Sequence, residues 1–211
     1  MTPPRSPNSR APLVAGVDEV GRGALFGPVV AAAAILSDEQ ASALQAMGVG
    51  DSKTLSGDRR LRLARQIRVV VTDCRIGWAS AREIDRLNIL QASLLAMKRA
   101  ILKLDPQPQF CLIDGNQRVP NLEIPQDSIV GGDRLEIAIA AASIVAKVWR
   151  DTLIVRLDRK YPGYDLAANK GYGTRKHREA LRTWGPSTQH RLSFAPCAQR
   201  ALPLDGGAIG R

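Results

Sequence analysis

Four acidic side chains in this sequence stand beside stretches that are predicted to be strands or helix starts. Asp18 and Glu19 follow an apolar run at residues 13–17, Asp114 closes a second apolar run, and Asp133 follows two glycines. Carboxylates are rarely placed inside a sheet core for stability. Asp18, at the end of an apolar run, is therefore predicted to take part in chemistry.

The expected chemistry is metal-dependent hydrolysis. Carboxylate oxygens are hard ligands and no histidine or cysteine stands beside these acids, so Mg²⁺ or Mn²⁺ is expected rather than zinc. Acids gathered in one pocket repel one another, and a divalent cation relieves that repulsion. Two such ions about 4 Å apart can activate a water molecule and stabilise the leaving oxygen in phosphodiester cleavage.

Each acid also has a purely structural explanation. Asp18 and Glu19 fit a solvated turn, Asp114 with the glycine after it is a common turn pair, and Asp133 is a natural helix N-cap. In a regular strand Asp18 and Glu19 point to opposite faces. A shared site therefore requires the strand to end or bulge there, or the longer Glu19 to reach round.

The elements around these acids alternate between strand-like and helical patterns, which predicts an α/β fold with a helical, basic C-terminal extension. Strands are expected at residues 13–17, 28–36, 69–78, 110–113 and 128–130. Helices are expected at residues 38–47, 56–67, 81–88 and 89–104, with a long one from residues 131–133 to 159. On that last helix Ser143 and Lys147 are four residues apart and share a face.

The charge of the chain is strongly positive and unevenly spread. The 211 residues carry a net charge of +10, and residues 147–211 contain 13 Lys and Arg against 5 Asp and Glu. Such a basic end predicts a polyanionic partner, most simply nucleic acid, although a solvated basic face is the alternative. Residues 170–174 add an aromatic side chain to these cations, a mixture that can grip a sugar–phosphate backbone.

Composition also limits the compartment and the domain organisation. No apolar run approaches the roughly 20 residues of a membrane helix, and the N-terminus lacks an apolar signal core, so we expect a cytoplasmic protein with no membrane partner. We expect a disordered lead-in at residues 1–12, one catalytic domain at 13–197 and a flexible tail at 198–211. A monomer is expected because no heptad pattern or exposed apolar face demands a partner.

The stretch AGVDEVGRGALFGPVVAAA closely resembles the signature of ribonuclease HII, the bacterial type 2 ribonuclease H. The resemblance continues through GDSKTLS, DRLNILQASLLAMKRAI, CLIDGNQRVP, AAASIVAKVWRD, YPGYDLAANKGYGTRKH and GPSTQHRLSFAPC. It covers nearly everything from about residue 13 to residue 197, in order.

The resemblance implies a ribonuclease H-like mixed central sheet flanked by helices, with a helical C-terminal part. It also implies endonucleolytic cutting of RNA within RNA–DNA hybrids, including single ribonucleotides embedded in duplex DNA, with 3′-hydroxyl and 5′-phosphate products. Asp18, Glu19, Asp114 and Asp133 match the four catalytic acids of the family, and the first three are the expected ligands of Mg²⁺ or Mn²⁺.

The resemblance also implies how the substrate is bound. Gly21, Arg22 and Gly23 match an element whose backbone groups contact the ribose 2′-hydroxyls beside the cut, which distinguishes RNA from DNA. Tyr172 matches a tyrosine that packs on the neighbouring deoxyribose and favours the RNA-to-DNA junction. Lys53, which fits either a phosphate contact or an ordinary loop position, and the pair Ser143 and Lys147 complete the expected substrate-binding residues.

One position departs from the family pattern. Many members have Lys-Gly-Asp where this chain has two glycines before Asp133, so the contact of that lysine is not expected here, and Glu136 one helical turn later is the stand-in acid. Two other functions compete with the nuclease. A non-catalytic nucleic-acid-binding module predicts that at least one of the four acids is replaced. A different two-metal nuclease, such as a resolvase, does not need the ribose-discriminating elements.

Overall fold

The fold is built on a mixed five-stranded sheet in the order β3-β2-β1-β4-β5. It is seen in a computed structural model that describes residues 12–50 and 55–198. β1, β2 and β3 are antiparallel neighbours, whereas β4 runs parallel to β1 and β5 runs parallel to β4. The strands are β1 Val14–Val20, β2 Val29–Leu36, β3 Asp73–Ala79, β4 Phe110–Asp114 and β5 Gln126–Ile129.

Helices cover both faces of this sheet. The helices in the described part of the chain are α1 Asp38–Ala46, α2 Gly57–Val70, α3 Ala81–Leu87, α4 Ile89–Ile101, α5 Gly132–Leu135, α6 Ile137–Asp158, α7 Leu166–Asn169, α8 Arg175–Trp184 and α9 Ala195–Ala198. Serine hydroxyls at Ser37, Ser56 and Ser80 cap α1, α2 and α3 by accepting a backbone N–H bond. None of the helices in residues 12–50 and 55–198 is both long and apolar enough to cross a membrane.

The side-chain alternation of the central strands divides the core into two layers. Ala31 and Ala33 of β2 pack with α4 on one face, whereas Ala32 and Ala34 pack with α2 and α6 on the other. Gly16 of β1 faces α6, where a Cβ atom would lie 2.1 Å from the carbonyl carbon of Ala138. The absence of a side chain at this residue thus lets the start of α6 approach β1 closely. The expected mixed sheet with flanking helices is confirmed.

The expected start of the third strand was wrong. β3 begins at Asp73, and Val69 and Val70 instead form the last turn of α2. The apolar stripe of α2, which includes Leu63 and Ile67, packs in the same core layer as α6 and continues the helix beyond the expected end at residue 67. Two adjacent valines suggest a strand on propensity alone, but Val69 is 85% exposed at the helix end.

The expected long helix from residues 131–133 to 159 is in fact two helices. Glu136 has an extended backbone, φ −124° and ψ 118°, and separates the short helix α5 from α6. Asp133 is not the N-cap of either helix. Gly131, in the left-handed region at φ 69°, takes the N-cap position of α5, and Asp133 follows within that helix.

Candidate active site

The four acids singled out in the sequence line one cavity. This cavity has a volume of about 370 Å³ and lies where β1 and β4 end beside α5 and α6. Its lining residues are Asp18, Glu19, Val20, Arg60, Asp114, Gly131, Asp133, Ser143 and Lys147. The expected pair Ser143 and Lys147 therefore faces the acids. Glu136, the stand-in acid, is not among the lining residues, whereas Asp133 is.

The strand β1 brings Asp18 and Glu19 to the same cavity without a bulge against β2. Pairing with β2 is regular over the whole of β1, whereas pairing with β4 extends only as far as Val17 opposite Ile113. Beyond Val17 one edge of β1 is open. Glu19, which strand alternation directs away from Asp18, reaches the cavity from this open edge.

Hydrogen bonds within the site hold the acidic side chains. Asp18, 6% exposed, accepts a 2.7 Å bond on Oδ1 from the backbone N–H of Glu19 and a further bond from the hydroxyl of Ser143. Asp114 accepts a 2.8 Å bond on Oδ1 from the backbone N–H of Gly132. This last bond ties the end of β4 to the start of α5, and so sets the position of Asp133, which is 8% exposed, relative to Asp114.

Burial and electrostatic repulsion both act on the carboxylates of the site, and on Asp18 in particular. Burial raises its pKa well above the ordinary value, and the neighbouring charges of Glu19 and Asp114 raise it further, whereas the Ser143 hydrogen bond opposes the shift. Burial likewise raises the pKa of Glu19, although Arg22 opposes that shift through a 3.1 Å ion pair between Nη1 and Oε1. The site thus holds carboxylates whose ionised forms destabilise one another.

Such a donor set fits a hard divalent cation, because a cation between the carboxylates would remove their mutual repulsion. As they stand in residues 12–50 and 55–198, no three histidine, cysteine, aspartate or glutamate side chains are grouped closely enough to hold a metal ion. The contacts explain this arrangement. Glu19 is drawn to Arg22, and Asp18 and Asp114 each use an oxygen to accept a backbone N–H bond.

The expected ribose- and sugar-binding residues lie next to this cavity. Gly21, Arg22 and Gly23 follow directly on β1, and Tyr172 forms an isolated antiparallel bridge with Ala24. Lys147 links the two regions, because it lines the cavity and its Nζ lies 5.5 Å from the centre of the Tyr172 ring. Lys53, the expected phosphate-binding lysine, lies outside the described residues.

Two features of the site were not foreseen from the sequence. Arg60 of α2 lines the cavity with the acids, although the sequence pattern places it only on the polar side of an amphipathic helix. Ser143 was expected to bind substrate, yet it donates its hydroxyl to Asp18. Neither feature carries a local sequence signal, because both depend on how α2 and α6 pack on the sheet.

Known proteins resemble this chain over most of its length. The model of the ribonuclease HII family matches residues 15–197 of this chain. The ribonuclease HII of Acaryochloris marina is 67% identical over 190 residues, which cover 90% of this chain and 96% of the relative. The crystal structure of ribonuclease H2 from Pyrococcus horikoshii OT3 superposes with a TM-score of 0.76 at 26% identity, covering 88% of this chain and 95% of that one. Bst-RNase HIII in complex with Mn²⁺ shares the fold, with a TM-score of 0.73 at 21% identity over 88% of this chain and 68% of that one.

Proposed function

The chain belongs to the ribonuclease HII family, and on that premise we propose how this endoribonuclease of RNA–DNA hybrids selects and cuts its substrate. We propose that it also cuts at single ribonucleotides embedded in duplex DNA, and that its products carry 3′-hydroxyl and 5′-phosphate ends. The observation that carries this proposal is the convergence of Asp18, Glu19, Asp114 and Asp133 on one cavity directly beside residues 21–23.

In this proposal Asp18, Glu19 and Asp114 hold Mg²⁺ or Mn²⁺, and Asp133 is the fourth catalytic acid. A bound pair of such ions would polarise the scissile phosphate and lower the pKa of a water molecule, which is the two-metal form of phosphodiester hydrolysis. The side chains prepare the site for that chemistry. Ser143 fixes the orientation of the Asp18 carboxylate, and Asp114 is held through the N–H of Gly132.

The substrate is proposed to lie across the cavity with its ribose at residues 21–23. Backbone groups there contact the 2′-hydroxyl, and the ring of Tyr172 packs on the deoxyribose that follows. Lys53 and Lys147, together with the basic C-terminal part of the chain, are proposed to contact phosphates. Arg60 lines the cavity as well, and its guanidinium places a further positive charge beside the acids.

We also propose the domain organisation, the oligomeric state and the location of the protein. Residues 13–197 form the catalytic unit, between an N-terminal lead-in and a C-terminal tail. The protein acts as a monomer in the cytoplasm, on RNA–DNA hybrids and on duplex DNA that contains ribonucleotides.

A duplex DNA with one ribonucleotide tests the proposal, with an all-DNA duplex of the same sequence as the control. Cutting on the 5′ side of the ribonucleotide in Mg²⁺ or Mn²⁺, but not in EDTA, is the expected result. Binding of both duplexes without cutting would instead indicate a non-catalytic nucleic-acid-binding module. Cutting of all-DNA junctions would indicate another two-metal nuclease.

A further inference from the structure

Two fully buried arginines lie beneath the loop at residues 21–28 that joins β1 to β2. Arg150 belongs to α6 and Arg191 lies between α8 and α9, and the exposed fraction of each is 0%. Their side chains are not part of the catalytic cavity lining. The hydrogen-bond acceptors of both guanidinium groups, within the described part of the chain, are backbone carbonyls of this loop and of Lys170.

Arg191 connects the two ends of the loop. Its Nη1 donates a 2.8 Å bond to the carbonyl of Arg22, and its Nε donates a 3.0 Å bond to the carbonyl of Gly27. The backbone N–H of Arg191 donates a third bond, of 2.9 Å, to the carbonyl of Leu25. The rigid, planar guanidinium thereby fixes the orientation of the Arg22 carbonyl toward the protein interior.

Arg150 supports the same loop from below, but at other carbonyls. Its Nε and Nη2 donate 3.0 Å bonds to the carbonyls of Pro28 and Phe26, and its Nη1 donates a 2.9 Å bond to that of Lys170. Gly21, at φ 88°, lies directly over this guanidinium, since a Cβ atom there would be 2.1 Å from Nε. Arg150 therefore holds the loop without binding a carbonyl of residues 21–23.

Burying two cations side by side is energetically unfavourable. Burial and the charge of Arg150 together lower the pKa of Arg191 to about 9. In addition, the Nη2 atom of Arg191 has no hydrogen-bond acceptor among the described residues. Replacing buried charged groups by well-packed apolar side chains of similar volume is often neutral or stabilising. Groups that break this rule tend to lie at functional sites, where they are retained for what they position.

The group that Arg191 holds in position is the peptide bond between Arg22 and Gly23. A trans peptide is planar, and its C=O and N–H bonds point in opposite directions. Because the Arg22 carbonyl points inward to Arg191, the N–H of Gly23 must point outward. Gly23 is exposed, a Cβ atom there would meet nothing within 4 Å, and its N–H has no acceptor among the described residues.

We infer that Arg191 is a positioning residue for ribose recognition, acting through the Arg22–Gly23 peptide. By holding the carbonyl of this peptide inward, Arg191 presents the Gly23 N–H to the oxygen of a substrate 2′-hydroxyl. This inference rests on the proposed function, in which residues 21–23 contact that hydroxyl. It adds a residue 169 positions away in the chain, and outside the cavity, to the machinery that distinguishes RNA from DNA.

Duplex binding by Arg191→Lys tests the inference. A lysine keeps the positive charge but lacks the planar fork needed to bind two separate carbonyls. The affinities for a single-ribonucleotide duplex and for the all-DNA duplex are measured in EDTA, where metal-dependent cutting stops. We expect the preference for the ribonucleotide to fall about tenfold, as for the loss of one hydrogen bond to a well-placed donor, while all-DNA affinity stays unchanged.

Arg150→Lys is the matched control, because it alters an equally buried guanidinium that binds loop carbonyls outside residues 21–23. It is expected to change the two affinities together. An Arg191→Lys protein that unfolds cooperatively and keeps the full ribose preference, or loses both affinities alike, would overturn the inference. If the wild-type protein itself shows no preference for the ribonucleotide, the result contradicts the proposed contact of residues 21–23 with the 2′-hydroxyl, on which the inference rests.

Arg191→Gln is the second variant. It removes the buried charge, so its folding does not require the core to accommodate a cation. It is expected to lose the ribose preference as well. If neither variant folds, Arg191 is a structural residue and the inference is withdrawn.

Discussion

Replacing Asp18 by asparagine should make the metal-free protein more stable while removing its activity. Asp18 is 6% exposed, and the neighbouring charges of Glu19 and Asp114 destabilise its ionised form. Asparagine has nearly the same shape and keeps an oxygen that can accept the N–H bond of Glu19. The substitution therefore removes a repelled, desolvated charge and leaves the packing in place.

The size of the effect depends on the buffer. In EDTA we expect Asp18→Asn to gain about 1 kcal/mol, which corresponds to a rise of about 2–4 °C in Tm for a domain of this size. In saturating Mg²⁺ the order should reverse. A ligand at about 100 times its Kd stabilises the folded state by about 2.7 kcal/mol, and only the wild-type protein has the full set of carboxylates to bind it.

Thermal unfolding followed by circular dichroism, in EDTA and in Mg²⁺, measures this reversal. Asp127→Asn is a suitable control, because the side chain of Asp127 is 61% exposed in an ion pair with Arg118. It should change Tm little in either buffer. The reasoning is refuted if Asp18→Asn is less stable than the wild-type protein in EDTA, or if Mg²⁺ raises both Tm values equally.

Three further predictions concern the substrate and the C-terminal part of the chain. Tyr172→Ala should lose cleavage of a single-ribonucleotide duplex more than cleavage of a long hybrid, and equal kcat/KM losses on the two substrates would contradict its role at the junction. If the basic residues 147–198 contact phosphates, hybrid affinity should fall steeply with salt in a binding titration, and a flat response would remove that role. Burial lowers the pKa of His190 to about 4 and also lowers that of His177, whose Nε2 atom lies 3.0 Å from the Nε2 of His190. Between pH 6.5 and 4 the unfolded chain then binds more protons, so stability is present above pH 6.5 and is lost as the pH falls. Urea unfolding should show the advantage of wild type over His190→Gln shrinking by about 1–2 kcal/mol between pH 7 and pH 5, and a constant difference would show that the pair does not titrate in this way.

The central strands and the ends that carry the acids could be predicted from the sequence. Apolar runs of strand length preceded Asp18 and Asp114, and both residues do lie at the ends of buried strand segments. The sequence did not determine how Glu19 enters the cavity, because a strand end, a bulge or a long reach of its side chain would each bring it there. Only the structure shows that β4 stops pairing with β1 at Ile113, because the extent of strand pairing is set by the whole sheet and not by local residue types.

The break between α5 and α6 could not be predicted in the same way. Glu136 is an ordinary helix former and no proline or glycine stands beside it. The contacts around it suggest the cause, since Gly132 lies against Asp114 and Ile139, where a Cβ atom would be 2.5 Å from Cδ1 of Ile139. Tertiary packing that brings Asp133 to the cavity therefore overrides local propensity.

Arg150 and Arg191 show a second limit of reading from sequence. A charged residue in a helix or loop is by default assigned to the surface, and no local pattern marks these two arginines as buried. Four of their five acceptors are carbonyls more than 100 positions earlier in the chain, and the fifth, that of Lys170, is 20 positions after Arg150. The residues that bind such a buried charge therefore cannot be identified from a short window of sequence around it.

The contact between Arg191 and the carbonyl of Arg22, 169 positions apart, has a consequence for synthesis on the ribosome. All residues that line the acidic cavity have been translated once synthesis reaches Lys147. The hydrogen bonds from Arg191 to the loop at residues 21–28 can form only after residue 191 has been added. A nascent or truncated chain that ends between these points would carry the proposed catalytic acids without the arginine to which we assign a part in sugar discrimination. In this proposal, substrate discrimination becomes possible only after the sequence of the whole acidic cavity has been synthesised.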